Sequence, residues 1–231
     1  MLGNISTSTM GYVWLALVAV VYLSIRIDAY SARQRSANEL VVKHTNTDSL
    51  CGNLTFVTRA EWKAKPPKRR TVMLIPVAYT IIHHTDTAQC HSFEECSQDM
   101  RIFQKWHMED RGWDDIGYNF VVGGDQRVYI GRDWDTVGTH AGSWYYNHHS
   151  QGIAIIGNYT SLLPSPGVLK VFHQLTECGV QLGYLTDRYV LRGHRDVRQL
   201  GPTSCPGDTL YAEIRRWPHY LEPKANKSTK Y

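Results

Sequence analysis

Two imidazoles and one thiol stand where side chains do chemistry. His83 and His84 close an apolar run at residues 79–84 (YTIIHH). Neighbours on a strand point to opposite faces, so at most one of the pair can face a given site. His194, within LRGHRD at 191–196, follows a strand end and a glycine. Cys205 comes eleven residues later, in the turn-rich loop TSCPG at 203–207. Loops at strand ends are common places for catalytic groups. Two neutral imidazoles and a thiolate form a three-ligand zinc set whose fourth position is open, the catalytic rather than the structural arrangement. Zinc there makes hydroxide available near neutrality and polarises a carbonyl. Spacing alone is a weak argument: there is no HExxH and no CxxC. Of the eleven histidines, most read as bland, and His44 and His219 sit in polar or terminal contexts without a role.

The elements that must hold these groups are readable from pattern. Ser92-Phe-Glu-Glu95 has the form of a capping box. Phe93, Cys96, Met100, Phe103 and His107 follow at helical spacing, and Gly112 ends the stretch. Ser165-Pro166 opens a second helix with the stripe Val168, Phe172, Leu175, Cys178 and Leu182. Asp208 caps a third, with Leu210, Ile214 and Trp217 on one face and Pro218 as its stop. Residues 79–84 and 152–156 read as central strands. Residues 118–122 and 127–130 flank the hairpin signal GGDQ, and 189–192 is a further strand. The fold class is α/β: a mixed central β-sheet flanked by three α-helices, with a surface groove for substrate.

Bulk properties bound the rest. The chain of 231 residues suits one domain after any targeting segment is set aside. Hydrophobic content of 42% and charged content of 20% exclude a disordered chain. The net charge of +4 favours anionic partners in general. No Lys/Arg stripe interleaved with aromatics points to nucleic acid. The one dense basic cluster, KAKPPKRR at 63–70, reads as a solvated loop. Residues 12–25 are apolar and closed by Arg26, short of the about 20 needed to span a bilayer. Residues 1–29 therefore read as a signal peptide, 30–50 as a linker, 51–221 as the functional domain and 222–231 as a basic tail. The alternative is an uncleaved anchor, against which the cysteines argue.

There are five cysteines, and an odd count in an exported protein suggests bridges plus one thiol with another task. Cys90 and Cys96 could close a small loop, Cys51 and Cys178 could pair over a long distance, and Cys205 would remain. Sequons at Asn53, Asn158 and Asn226 are compatible with a secreted glycoprotein.

Seven motifs occur in order: IIHHT at 81–85, GWDDIGYNF at 112–120, YIGRD at 129–133, VGTHA at 137–141, GIAIIGN at 152–158, GHRD at 193–196 and TSCPG at 203–207. Together they resemble the peptidoglycan recognition protein family, related to phage lysozyme-type N-acetylmuramoyl-L-alanine amidases. The likeness covers residues 51–221. It implies zinc ligation by His83, His194 and Cys205, with Tyr118 and Thr203 at positions that assist catalysis. Tyr118 would position water or stabilise a developing oxyanion. Thr203 departs from the phage enzymes, which carry Lys there. Members that bind without cutting typically lack the cysteine, so Cys205 favours an enzyme. Cys90–Cys96 matches the family's small bridge beside the first helix, and we infer Cys51–Cys178 as the second.

The same resemblance places Trp106, His107, His140 and Asn147 in a groove wall. Gly112-Trp113 resembles the pair in members that prefer diaminopimelate stems. Arg132 matches the position whose guanidinium grips the extra carboxylate of that residue. The implied partners are peptidoglycan and muropeptides, with no nucleic acid, no stable membrane insertion after signal cleavage and a monomeric state. The competing expectations are a non-cutting immune sensor and a membrane-anchored receptor.

Overall fold

Short strands with alternating faces make the sheet that carries the candidate site. The computed structural model describes residues 51–223. The expected signal peptide, the linker, His44, the Asn226 sequon and nearly all of the tail lie outside the described residues. Six strands form one sheet: β1 Phe56–Val57, β2 Val77–His84, β3 Phe120–Val122, β4 Val128–Ile130, β5 Ser150–Ile155 and β6 Leu185–Gly193. Their order is β1-β4-β3-β5-β2-β6. Only the β3–β4 hairpin is antiparallel; every other pairing is parallel. β2 and β5 are therefore central strands, and their near-continuous apolar runs reflect cover on both faces.

Strand parity sorts the core. Ile82, Phe120, Val122, Ile153 and Ile155 pack on one face with the long helix α3 (Pro166–Gln181) and with α5 (Asp208–Ile214). Val121, Tyr129 and Ala154 pack on the other with α1 (Phe93–Lys105). Fully burying each large apolar side chain contributes about 1.5–3 kcal/mol. The sulfurs of Cys51 and Cys178 are bonded, tying the start of the described chain to α3. Cys90 and Cys96 are bonded beside the start of α1, and Cys205 is a buried free thiol. Asn53 and Asn158 are both exposed. Among the described residues, no helix is long and apolar enough to cross a membrane.

Local chemistry differs from the pattern reading in three places. Ser92 accepts from the Glu95 amide as expected, but the Glu95 carboxylate reaches the amide of His91 rather than that of Ser92. Gly207, not Asp208, is the N-cap of α5, and Asp208 instead pairs with Arg195. The first helix does not run on as one α-helix: Trp106–Asp110 is a single π-turn, closed by the Arg111 amide donating to the Trp106 carbonyl. Basic residues of the 63–70 loop brace this turn, since Lys65 pairs with Glu109 and Lys68 donates to the Met108 carbonyl. Two further short helices, α2 (Trp144–His149) and α4 (His194–Val197), are too brief for periodicity to reveal.

Candidate metal centre

β2 and β6 are adjacent and parallel, with Ile82 opposite Gly193. The next residue on each is a histidine, so His83 and His194 emerge side by side at the carboxyl ends of the strands. Parity sends His83 to the same face as Ile81, while His84 turns to the other. The His84 ring instead accepts from the Tyr159 amide through Nδ1 at 3.2 Å. Arg195 closes the gap to the third group. It donates to the carbonyls of Ser204 and Cys205 and pairs with Asp208 at 2.8 Å, fastening the cysteine loop to α4.

The potential ligand atoms of His83, His194 and Cys205 all lie within 4.8 Å of one another. The Sγ of Cys205 is 3.7 Å from Nδ1 of His83 and accepts from the His84 amide at 3.4 Å. The Thr203 hydroxyl accepts from the Cys205 amide at 3.2 Å, so this residue shapes the ligand loop. All three groups are at most 9% exposed.

Burial governs their charge. It holds the His83 pKa well below the ordinary value, helped by the neighbouring histidines, and pushes His194 down to about 4. It pushes the Cys205 thiol up to about 12. The imidazoles are thus neutral and carry lone pairs, the form a metal requires. A thiol so placed ionises only when a cation arrives beside it. The Nε2 of His194 is buried without a hydrogen-bond partner, a state that costs about 1–3 kcal/mol. Two nitrogens and one sulfur that converge in this way suit zinc.

Behind the ligands runs a second layer. The Nε2 of His83 is 3.0 Å from Nδ1 of His140, and Nε2 of His140 is 3.4 Å from the Ser150 hydroxyl, which donates to the Tyr146 carbonyl. His140 is buried, and burial lowers its pKa to about 3. Asn147 Oδ1 accepts from the amides of both His140 and Ala141, at 3.0 and 2.8 Å. Gly152 leaves room for the His140 ring, since a Cβ there would come within 2.3 Å of it. The ring nitrogens of His140 and the side-chain oxygen of Asn147 are thus engaged inside the protein. Sequence reasoning missed Ser150 and Ala141 in this layer, and Gly152 in an apolar strand was the only available signal.

The aromatic side of the site comes from the π-turn and the loop after it. Trp106 is 45% exposed, with the Arg111 guanidinium 4.2 Å from its ring centroid. His107 is buried, stacks on Trp113 at 4.6 Å and accepts from the Gly117 amide through Nδ1. Gly112 adopts φ 70°, which brings Trp113 back over the turn at little cost for glycine. Tyr118 precedes β3, with its ring centroid 5.3 Å from that of His83. Burial, and then Cys205, raise its pKa above the usual phenol range, so its hydroxyl stays a donor.

Arg132 is braced by the backbone around it. It is buried, and its guanidinium donates to the carbonyls of Ile116, Val137 and Asp115, at 2.6, 2.9 and 3.4 Å. Three of its five N–H groups are therefore engaged with the backbone.

Residues 73–208 match the family described as N-acetylmuramoyl-L-alanine amidase. The chain is 40% identical over 170 residues to peptidoglycan recognition protein 1 of Bos indicus, covering 74% of this chain and 86% of that protein. It is 39% identical over 189 residues to N-acetylmuramoyl-L-alanine amidase of Homo sapiens, covering 79% of this chain but only 32% of that longer protein. Among solved structures it resembles peptidoglycan recognition protein-LE in complex with tracheal cytotoxin, a monomeric diaminopimelic acid-type peptidoglycan. The TM-score is 0.69 and the identity 36%, over 73% of this chain and 96% of that one.

Proposed function

Since the chain belongs to the N-acetylmuramoyl-L-alanine amidase family, in its peptidoglycan recognition branch, we propose that it is a zinc-dependent amidase. It would hydrolyse the amide joining the lactyl group of muramic acid to the stem peptide of bacterial peptidoglycan. The observation that carries this reading is the convergence of His83, His194 and Cys205. Members that only bind have no need to keep a buried thiol beside two neutral imidazoles.

In this reading His83, His194 and Cys205 hold the ion. Zinc, when bound, supplies a nucleophile at neutral pH and polarises the scissile carbonyl. Tyr118, kept protonated, donates toward the oxygen on which negative charge develops. Thr203 orders the turn that presents the thiolate. Trp106, His107, Gly112 and Trp113 line the side against which the muropeptide lies, and the two indole rings exclude water from the bond being cut. The Gly112-Trp113 pair and the ligand in the related complex support diaminopimelate stems as the substrate class. The bonded cysteine pairs support work outside the cell, in innate immunity to bacteria.

The test is release of stem peptides from diaminopimelate-type and lysine-type peptidoglycan, with and without a chelator. Chelator-sensitive cleavage, faster on the first polymer, is expected. Binding without any cleavage at neutral pH would make the protein a sensor instead.

A further inference from the structure

We infer that Asn147 is a positioning residue which, by fixing the dipeptide His140-Ala141, orients the histidine ligand His83 of the metal; this rests on the zinc reading above. Three contacts carry the inference. The side-chain oxygen of Asn147 accepts from two successive amides, His140 and Ala141, and so fixes the dipeptide against α2. The ring of His140 then meets Nε2 of His83. One amide oxygen thereby governs the back of the His83 ligand through His140.

The tautomers follow from this geometry. With its Nδ1 lone pair turned to the side of Cys205, His83 carries its proton on Nε2 and donates to Nδ1 of His140. His140 then carries its own proton on Nε2 and donates to Ser150, whose hydroxyl donates to the Tyr146 carbonyl. Every donor in the chain has an acceptor. Outer partners of this kind fix the ring orientation of metal-bound histidines, and losing one typically lowers metal affinity 10–100-fold. The glycines at 138 and 152 belong to the same device, because a Cβ at either would come within about 2.5 Å of the His140 ring.

The test compares wild type, Asn147→Ala and Asn147→Asp, which keeps an acceptor oxygen, with His140→Phe as a ring-preserving second disruption. Three quantities are read on the folded full chain. They are zinc affinity by competition with a chromophoric chelator, the His83 tautomer by nitrogen-15 shifts in zinc-free protein, and binding of a diaminopimelate muropeptide to zinc-free protein. Asn147→Ala and His140→Phe should weaken zinc about 10–100-fold, and Asn147→Asp should restore it to within a few-fold. His83 should lose its Nε2–H preference in both disruptive variants. Muropeptide binding by zinc-free protein should not change. Unchanged zinc affinity and tautomer, with weakened muropeptide binding in Asn147→Ala, would make Asn147 a ligand contact and end the inference. If wild type binds no zinc, the amidase reading fails separately, and the tautomer shifts still decide whether Asn147 orients the ring.

Discussion

The Sγ of Cys205 lies 3.7 Å from Nδ1 of His83, although 122 residues separate them in the chain. That proximity depends on Arg195 holding the cysteine loop, and no local interaction of the thiol would create it. Cys205→Ser should therefore keep the fold, leave muropeptide binding in place and abolish both stoichiometric zinc and cleavage. Metal analysis alongside a peptide-release assay reads the two together. A serine variant that still cut at the wild-type rate would remove the thiolate from the mechanism.

Tyr118 offers a narrower probe. Its ring packs near His83 and His107, and its hydroxyl stays protonated because burial disfavours the phenolate. Tyr118→Phe keeps the ring and removes the donor. We expect kcat to fall about 100-fold or more, with KM and zinc content little changed. A loss confined to KM would assign the hydroxyl to ground-state binding.

Acid sensitivity should report on His107. Burial, then Arg111 and Arg132, lower its pKa to about 3, against the ordinary 6.5. The unfolded chain therefore binds a proton that the folded chain refuses between these values. Its contribution is complete above about pH 6.5 and declines as the pH falls toward about 3, by at most about 1.4 kcal/mol per pH unit. In His107→Gln, whose side chain cannot titrate, the slope of unfolding free energy against pH should be shallower over that window. Parallel slopes for the two proteins would show that the imidazole titrates normally.

Arg132 is expected to act on stability. Arg132→Ala would leave the carbonyls of Ile116, Val137 and Asp115 without their donor, costing about 3 kcal/mol. Chemical denaturation measures this directly. A variant as stable as wild type, but with its preference between stem types altered, would return the guanidinium to the ligand.

Much of the architecture was legible because it is periodic. The apolar runs of β2 and β5, the Pro-initiated α3 and the GGDQ hairpin each announce themselves within a dozen residues. Parity alone predicts that His83 and His84 divide between two faces. The roles of Arg132, His140 and Asn147 were not legible, because they depend on which backbone carbonyls and amides a loop presents. No spacing encodes that. The resemblance supplied the positions of these residues, while their contacts came only from the packed structure. The π-turn was likewise hidden: its side chains continue the stripe of α1, and only the hydrogen-bond pattern sets it apart.

The division of labour between His83 and His84 has a consequence for length rather than for residue type. One ring reaches the candidate metal centre, whereas its neighbour serves the opposite layer and lends its amide to the sulfur. Gaining or losing a single residue inside β2 would exchange the two rings while leaving composition almost untouched. This strand should be intolerant of indels even where it accepts conservative replacements, and engineered changes in length should be tolerated only in the surrounding loops.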